Sequence, residues 1–145
     1  MEKLLVSACL LGVKCKYSGG SNAMDGDVLR DLREKYEIIS VCPESEGGLP
    51  TPRTPSERVG CRVLSRDGAD VTAEFRRGAQ TALMKCRDSG CRLALLKENS
   101  PSCGSKTVYD GTFSGRLVPG LGVTAELLRE NGIELYGESE VSRLI

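Results

Sequence analysis

Three short apolar runs, each leading into a loop that carries a cysteine, constrain the fold of this chain most. They lie in segments 4–9, 38–42 and 93–103, and the cysteines are Cys9, Cys42 and Cys103. Branched aliphatic runs separated by helix-like stretches predict buried strands of a parallel sheet. The carboxyl ends of parallel strands share one edge, where open α/β sheets bind ligands. We therefore expect the three thiols to converge.

The alternation of strand and helix patterns predicts an α/β protein with a single-domain three-layer Rossmann-like fold. Its sheet is expected to be mostly parallel, with helices on both faces. The predicted main strands cover residues 3–8, 37–41, 91–96 and 133–136. Two helices are predicted to follow N-terminal caps, one provided by Asp25 or Asp27 and the other by Thr72. Two further helices are predicted over 124–130 and 138–145. A length of 145 residues fits one domain over 1–145.

Two segments after the predicted strands are rich in turn-forming residues. Residues 42–55 contain four prolines and the pair Gly47-Gly48, a composition that predicts no regular structure. Long irregular segments inside a domain are usually functional. A small hairpin is predicted from 61–64 and 69–71 around an Asp-Gly turn, and a polar loop from about 105 to Pro119.

The charge balance and hydropathy argue against several partner classes, although a tRNA or a single base stays open. Lys and Arg together number 20, as do Asp and Glu, so no basic field is available to hold a nucleic-acid polymer. No apolar stretch approaches the ~20 residues that span a bilayer. Met1-Glu-Lys leads directly into a strand-like run and does not resemble a signal peptide. We expect a cytoplasmic protein without a membrane partner.

The cysteine and histidine counts narrow the chemistry. The chain has seven cysteines and no histidine. An odd count fits poorly with a closed disulfide framework. The lack of imidazole removes the usual general base and every zinc site that uses it. Metal or thiol chemistry is favoured, with acid–base work left to Glu, Asp, Lys, Tyr or Ser.

The seven cysteines are not equivalent in the sequence. Three soft ligands at predicted strand ends indicate an iron–sulfur or other thiophilic site with an open position, and zinc with three cysteines and a water stays possible. Cys86 continues the apolar face of a predicted helix. Cys61 and Cys91 begin strand-like runs, so we interpret all three as structural. Cys15 shares a loop with Cys9, and its role stays open: it is a metal ligand, a resolving thiol or neither.

Three sequence blocks carry a family resemblance. Ser7–Gly12, Val41–Arg53 and Leu95–Gly104 resemble, in order, the signature blocks of the domain of unknown function 523 family, whose characterised members are thiouracil desulfidases. That family holds an oxygen-sensitive [4Fe-4S] cluster through three cysteines and leaves one iron not bound by protein. The resemblance implies that Cys9, Cys42 and Cys103 are the metal and cofactor ligands.

The resemblance also implies catalytic residues and a reaction. The family's catalytic carboxylate falls on Glu44 and its catalytic serine on Ser100. The implied reaction is a non-redox desulfidation of a thiolated pyrimidine, giving uracil and hydrogen sulfide. The implied partners are a small thiolated base or nucleoside and the iron–sulfur assembly machinery.

Other interpretations of the same residues remain open at this point. Without the family, Glu44 is most simply a solvated loop carboxylate, and Ser100 before a proline starts a turn. Arg53 and Lys97 are solvated charges by default. The thiols also suit a non-catalytic iron–sulfur or metal sensor, or a thiol redox enzyme that pairs Cys9 with Cys15.

Overall fold

A four-stranded parallel sheet forms the centre of the protein. The computed structural model describes all 145 residues. The sheet contains β1 (Glu2–Ser7), β2 (Tyr36–Val41), β5 (Leu93–Leu96) and β8 (Glu134–Gly137), in the order β2-β1-β5-β8. Ser7 is aligned with Val41, and Val6 with Leu95. The carboxyl ends of β1, β2 and β5 are therefore nearly level at one edge.

Helices cover both faces of this sheet. One face packs on α1 (Gly26–Lys35) and on the terminal 3₁₀ helix (Glu138–Arg143), and the other on α3 (Thr72–Ser89) and α4 (Val123–Glu130). Successive side chains of β1 point to opposite faces of the sheet. Leu4 therefore packs in the apolar cluster beneath α1, and Leu5 packs in the apolar cluster beneath α3 and α4. The predicted three-layer α/β fold with a mostly parallel sheet is confirmed.

The helix starts show where the sequence patterns were right and where they were wrong. Asp25, one of the two predicted caps of α1, accepts a hydrogen bond from the backbone of Asp27 at 2.8 Å. The prediction that Thr72 caps α3 is wrong, because Thr72 is the first residue inside the helix. Asp70 accepts the Thr72 N–H at 3.0 Å, and the Thr72 hydroxyl accepts from the Val63 N–H at 2.9 Å.

The proline-rich segment after β2 contains a helix that the sequence did not predict. Residues Pro43–Glu46 form the four-residue helix α2, because a proline in the first turn costs no hydrogen bond and its fixed φ suits a helix start. This helix packs closely on α3 at Gly78. A Cβ atom there would overlap the carbonyl oxygen of Pro43. Gly78 thus fixes the position of the segment that follows β2.

Two antiparallel hairpins lie outside the central sheet. β3 (Ser56–Val59) pairs with β4 (Arg62–Ser65), and β6 (Thr107–Tyr109) pairs with β7 (Leu117–Pro119). The prediction of one hairpin over 61–71 is wrong in its pairing, since β4 pairs mainly with the preceding strand. The predicted polar loop before Pro119 contains the second hairpin.

The remaining cysteines divide between the core and the surface. Cys86 and Cys91 are buried in the cluster beneath α3, which agrees with a structural role. Cys61 is exposed in the turn between β3 and β4, so its interpretation as a packed residue is wrong. No helix combines the length and the hydropathy that crossing a membrane requires.

Candidate active site

A cavity of about 510 Å³ opens at the carboxyl edge of the central sheet. Its lining includes all five residues singled out from the sequence, namely Cys9, Cys42, Glu44, Ser100 and Cys103. These residues come from segments that are distant along the chain. The level ends of β1, β2 and β5 bring them together, as expected for a ligand site in an open α/β sheet.

Each thiol lies in a short structured segment directly after a strand. Cys9 belongs to the 3₁₀ helix Ala8–Leu11 that follows β1, and Cys42 is the residue before α2. Cys103 lies in the turn that follows β5, and its N–H donates to the Ser100 Oγ at 3.1 Å. That turn packs against Gly122, where a Cβ atom would overlap the backbone of Ser102. The backbone around the thiols is thereby held in place.

Burial keeps two of these thiols protonated in the ligand-free protein. It raises the pKa of Cys9, opposed by a hydrogen bond with Asn22. Burial also raises the pKa of Cys103 to about 12. A protonated, buried thiol is a poor nucleophile, whereas metal coordination deprotonates a thiol outright. The raised pKa values therefore argue against Cys9 and Cys103 as thiol nucleophiles.

The spread of the acidic and thiol side chains indicates the kind of metal group that fits. No three cysteine, aspartate or glutamate side chains are gathered closely enough to hold a single metal ion. A polynuclear cluster presents a different metal atom to each thiolate and needs ligands that are further apart. Three soft sulfur donors around one cavity fit an iron–sulfur cluster in their chemistry.

Both oxygens of Glu44 are held by neighbouring side chains. The Oε1 atom accepts a hydrogen bond from the Arg53 Nε at 3.0 Å, and the Oε2 atom accepts one from the Ser102 Oγ at 3.0 Å. The Glu44 side chain is 16% exposed and that of Arg53 is 7% exposed. The interpretation of these two charges as solvated is therefore wrong.

Arg53 is anchored to the walls of the site by further hydrogen bonds. Its Nη2 donates to the Cys15 carbonyl at 2.9 Å, and its Nη1 donates to the Pro50 carbonyl at 3.2 Å and the Thr51 hydroxyl at 3.0 Å. The guanidinium thus joins the segment after β2 to the loop after β1. It also places a fixed positive charge beside the Glu44 carboxylate.

Ser100 has the turn role that its sequence suggests and a second role as well. Its carbonyl accepts from the Gly104 N–H at 2.9 Å, which closes the turn. Ser100 lines the cavity, and its hydroxyl lies 2.9 Å from the Ser102 Oγ. Ser102 is buried at 2% exposure. No sequence pattern distinguished Ser102, because its importance depends on a carboxylate that is distant along the chain.

Cys15 and Lys97 also line the cavity but differ from the predicted ligands. Burial, with the nearby Cys42 thiol, raises the pKa of Cys15 to about 12. The Cys15 carbonyl accepts hydrogen bonds from the Arg53 Nη2 and the Cys42 Sγ, and the Cys15 thiol also lies beside the Cys42 thiol. Lys97 is not a free solvated charge, because its Nζ lies 2.6 Å from the Glu138 carboxylate.

Aromatic side chains contribute to the wall of the cavity supplied by the two hairpins. Tyr109 and Phe113 line the cavity together with Arg66, and the Arg66 guanidinium lies 5.6 Å from the centre of the Phe113 ring. Flat apolar surfaces of this kind suit a planar heterocycle. The cavity therefore combines three thiols, a fixed carboxylate and aromatic surface.

Comparisons with known proteins agree with this geometry. The sequence profile of the 2-thiouracil desulfurase family matches residues 4–140. The chain is 37% identical over 152 aligned residues to the uncharacterized protein YbbK of Bacillus subtilis strain 168, covering 98% of this chain and 99% of YbbK. A solved structure described as the [4Fe-4S]-dependent thiouracil desulfidase TudS is 48% identical, with a TM-score of 0.95 over 99% of this chain and 95% of the solved one.

Proposed function

The chain belongs to the 2-thiouracil desulfurase family, and from this premise we propose that it is a [4Fe-4S]-dependent desulfidase of a small thiolated pyrimidine. The net reaction exchanges a thiocarbonyl and water for a carbonyl and hydrogen sulfide, so no electrons are gained or lost. One observation carries the proposal at the level of residues: three thiols and a fixed carboxylate line the same cavity.

The cofactor ligands in this proposal are Cys9, Cys42 and Cys103. When bound, the cluster supplies one iron without a protein ligand, which acts as a Lewis acid toward the sulfur of the substrate. The protein contributes three thiolates from fixed backbone segments and leaves the fourth coordination position to the cavity. Support comes from the soft donor set and from the place of all three thiols on the lining of one cavity.

The catalytic residues in this proposal are Glu44 and Ser100. A water molecule that attacks the thiocarbonyl carbon must lose a proton, and the departing sulfur must gain one. Glu44 is the only carboxylate here with both oxygens held by neighbouring polar side chains, which suits a base of fixed orientation. Ser100 orients the substrate or passes the proton from its place on the same cavity.

The proposal extends to substrate and partners. The cavity of about 510 Å³ has room for a cluster and a small base or nucleoside, in the range typical of small-molecule sites. We further propose that residues 1–145 form one desulfidase domain in the cytoplasm, loaded by the iron–sulfur assembly machinery and without a nucleic-acid polymer or membrane as partner. The sensor alternative is not favoured, because the matching family and the solved relative are desulfidases.

Anaerobic reconstitution tests the proposal. The protein is loaded with iron and sulfide, and the release of sulfide and uracil from 2-thiouracil and 4-thiouracil is followed. We expect turnover that requires about four irons per chain. A stable cluster with no turnover on either base would contradict the proposed activity.

Ligand variants test the cofactor assignment separately. Cys9→Ala, Cys42→Ala and Cys103→Ala are each expected to lose the intact cluster, as measured by iron, labile sulfide and visible absorbance. Cys61→Ser is the matched control, since Cys61 is exposed and does not line the cavity. Normal iron and sulfide in any one of the three variants would remove that residue from the ligand set.

A further inference from the structure

A chain of hydrogen bonds links Ser100 to Glu44 through Ser102. The Ser100 and Ser102 hydroxyl oxygens are 2.9 Å apart, and the Ser102 Oγ is 3.0 Å from the Glu44 Oε2. No direct hydrogen bond joins Ser100 to Glu44. Ser102 is therefore the connection between the two proposed catalytic residues.

The number of donors and acceptors fixes the direction of this chain. A hydroxyl has one proton to donate and two lone pairs that accept. The Ser100 Oγ accepts from the Ser102 N–H at 3.2 Å and from the Cys103 N–H at 3.1 Å, which occupies both lone pairs. Ser100 must then donate its proton, and the Ser102 Oγ is its acceptor. Ser102 in turn uses its own proton as a donor.

The proton of Ser102 has two possible acceptors, and the carboxylate is the stronger. The Cys103 Sγ lies 3.5 Å from the Ser102 Oγ, against 3.0 Å for the Glu44 Oε2. Sulfur is a weak acceptor, whereas hydrogen bonds to a carboxylate are strong. Both protons therefore point the same way, from Ser100 to Ser102 and from Ser102 to Glu44.

We propose that Ser102 is a positioning residue that transmits the basicity of Glu44 to the Ser100 hydroxyl. The inference rests on the proposed function, because it takes Glu44 and Ser100 as catalytic. When water attacks the thiocarbonyl carbon, it replaces the Ser102 N–H, the longer of the two backbone donors at 3.2 Å, as a donor to the Ser100 Oγ. The water proton then passes to that oxygen as the Ser100 proton passes to the Ser102 Oγ and the Ser102 proton to the Glu44 Oε2. The hydroxide oxygen bonds to carbon, and the carboxylate becomes a carboxylic acid. The same chain returns that proton to the departing sulfur.

Burial and Arg53 make the chain suitable for this task. Ser102 is shielded from solvent at 2% exposure, so bulk water does not replace its hydroxyl as a bridge. Arg53 holds the Glu44 Oε1 at 3.0 Å, which leaves the Oε2 directed at Ser102. The carboxylate therefore need not contact the substrate.

Coupling between variants of the cluster-loaded enzyme tests the inference. Ser102→Ala is expected to lower kcat for 4-thiouracil about 100-fold, the usual size of a lost proton-transfer path, with an unchanged KM. Double variants with Glu44→Gln or Ser100→Ala should be no slower than the slower single variant, because all three act on one path. Ser105→Ala is the matched control, since the buried Ser105 hydroxyl has no hydrogen-bond partner and its loss should change neither constant.

A measurement on the unsubstituted enzyme gives a second, independent test. A transfer along the hydrogen-bond chain moves several protons in one step. A plot of kcat against the deuterium fraction of H₂O/D₂O mixtures should therefore be curved and not a straight line. Iron content, absorbance and thermal unfolding of each variant establish that the cluster and fold are retained.

The outcomes separate this inference from the proposed function. Loss of turnover in Glu44→Gln and Ser100→Ala with normal turnover in Ser102→Ala overturns the role of Ser102 alone. The role of Ser102 is also overturned if the fold-losses of kcat in the single variants multiply in the double variants. A linear dependence of kcat on deuterium fraction overturns it as well. Normal turnover in Glu44→Gln and Ser100→Ala would instead overturn the catalytic assignment on which the inference rests.

Discussion

Arg53 and Glu44 form an ion pair with a 3.0 Å separation between Nε and Oε1, inside the wall of the cavity. An ion pair this well shielded differs from a surface pair, because removal of one partner leaves a charge with poor access to water. The guanidinium also bonds two backbone carbonyls. Arg53 therefore contributes both to the fold of the site and to the orientation of the carboxylate.

Replacement of Arg53 should lower both stability and activity. Arg53→Ala removes hydrogen bonds to a carboxylate and should cost about 2 kcal/mol of unfolding free energy, measured by urea denaturation of the cofactor-free protein. Arg53→Lys should recover little, since a single ammonium cannot span the same acceptors. Arg30→Ala is the control, because the Arg30 side chain is 63% exposed and exposed pairs contribute under about 1 kcal/mol. Equal losses for Arg53→Ala and Arg30→Ala would contradict this role.

Glu44→Gln and Ser100→Ala should separate catalysis from cofactor binding. Both residues line the cavity without providing a thiol, so the iron and labile sulfide content should be normal. Turnover of 4-thiouracil should fall by roughly 100-fold or more, the range of a lost general base. Cluster loss in both variants would show that these residues have a structural role only.

Cys15→Ala should leave the cluster and the activity intact. The hydrogen bonds from Arg53 and the Cys42 Sγ go to its backbone carbonyl, which alanine retains. Its thiol also lies beside that of Cys42, and burial keeps it protonated. Turnover should remain within about twofold of the unsubstituted enzyme. A large loss of turnover with the iron content preserved would revive the thiol redox interpretation that pairs Cys15 with Cys9.

Gly78→Ala should disturb the site from a distance. The added Cβ atom would overlap the Pro43 carbonyl, so α2 must move away from α3. Overpacking of this kind costs about 1–3 kcal/mol, and the shift should also reduce cluster retention through Cys42. Gly26→Ala is the matched control, since nothing lies within 4 Å of the added atom and the substitution should be neutral or slightly stabilising. Thermal unfolding and iron content of both variants check this prediction.

Asp70→Ala should weaken the protein in a pH-dependent manner. Hydrogen bonds from the Thr72 hydroxyl and N–H hold the pKa of Asp70 below its usual value of 3.8. A carboxyl whose pKa is lower in the folded state stabilises above its unfolded pKa and stops doing so as the pH falls through the folded value. The Tm difference from the unsubstituted protein should be largest near pH 7 and should shrink below about pH 4.

Asp88→Ala is the control for that pH dependence. Asp88 lies near the opposite end of the same helix, where an acidic side chain opposes the helix dipole. Its removal should not lower the Tm at pH 7. A Tm difference for Asp70→Ala that is constant from pH 7 to pH 3 would contradict the capping role of the carboxylate.

The central sheet was predictable because its strands are short apolar runs that can be recognised from the local sequence. The apolar runs over β1 and β5 are buried on both faces, so hydrophobicity alone marks them, and the edge strand β2 keeps an apolar run although it is only partly buried. Cys9, Cys42 and Cys103 follow those strands. Their place at the predicted strand ends and within the family blocks made them identifiable from the sequence. The hairpins were missed or mispaired because they are short and partly exposed, which weakens the alternating pattern.

The polar connections of the site were not predictable from local pattern. Arg53 looks like an ordinary loop charge, and its burial arises only when the segments after β1 and β2 meet. Ser102 contacts Glu44 across 58 positions of sequence. Tertiary contacts decide the state of such side chains, and local periodicity contains no information about them.

The level ends of β1, β2 and β5 also determine the order in which the protein matures. Cys9, Cys42 and Cys103 become neighbours only after all three strands have paired, so a partly synthesised chain cannot offer a complete set of thiolates. Under the proposed ligand assignment, the cluster would be delivered to a chain that has already folded, unlike the zinc fingers that fold around their metal.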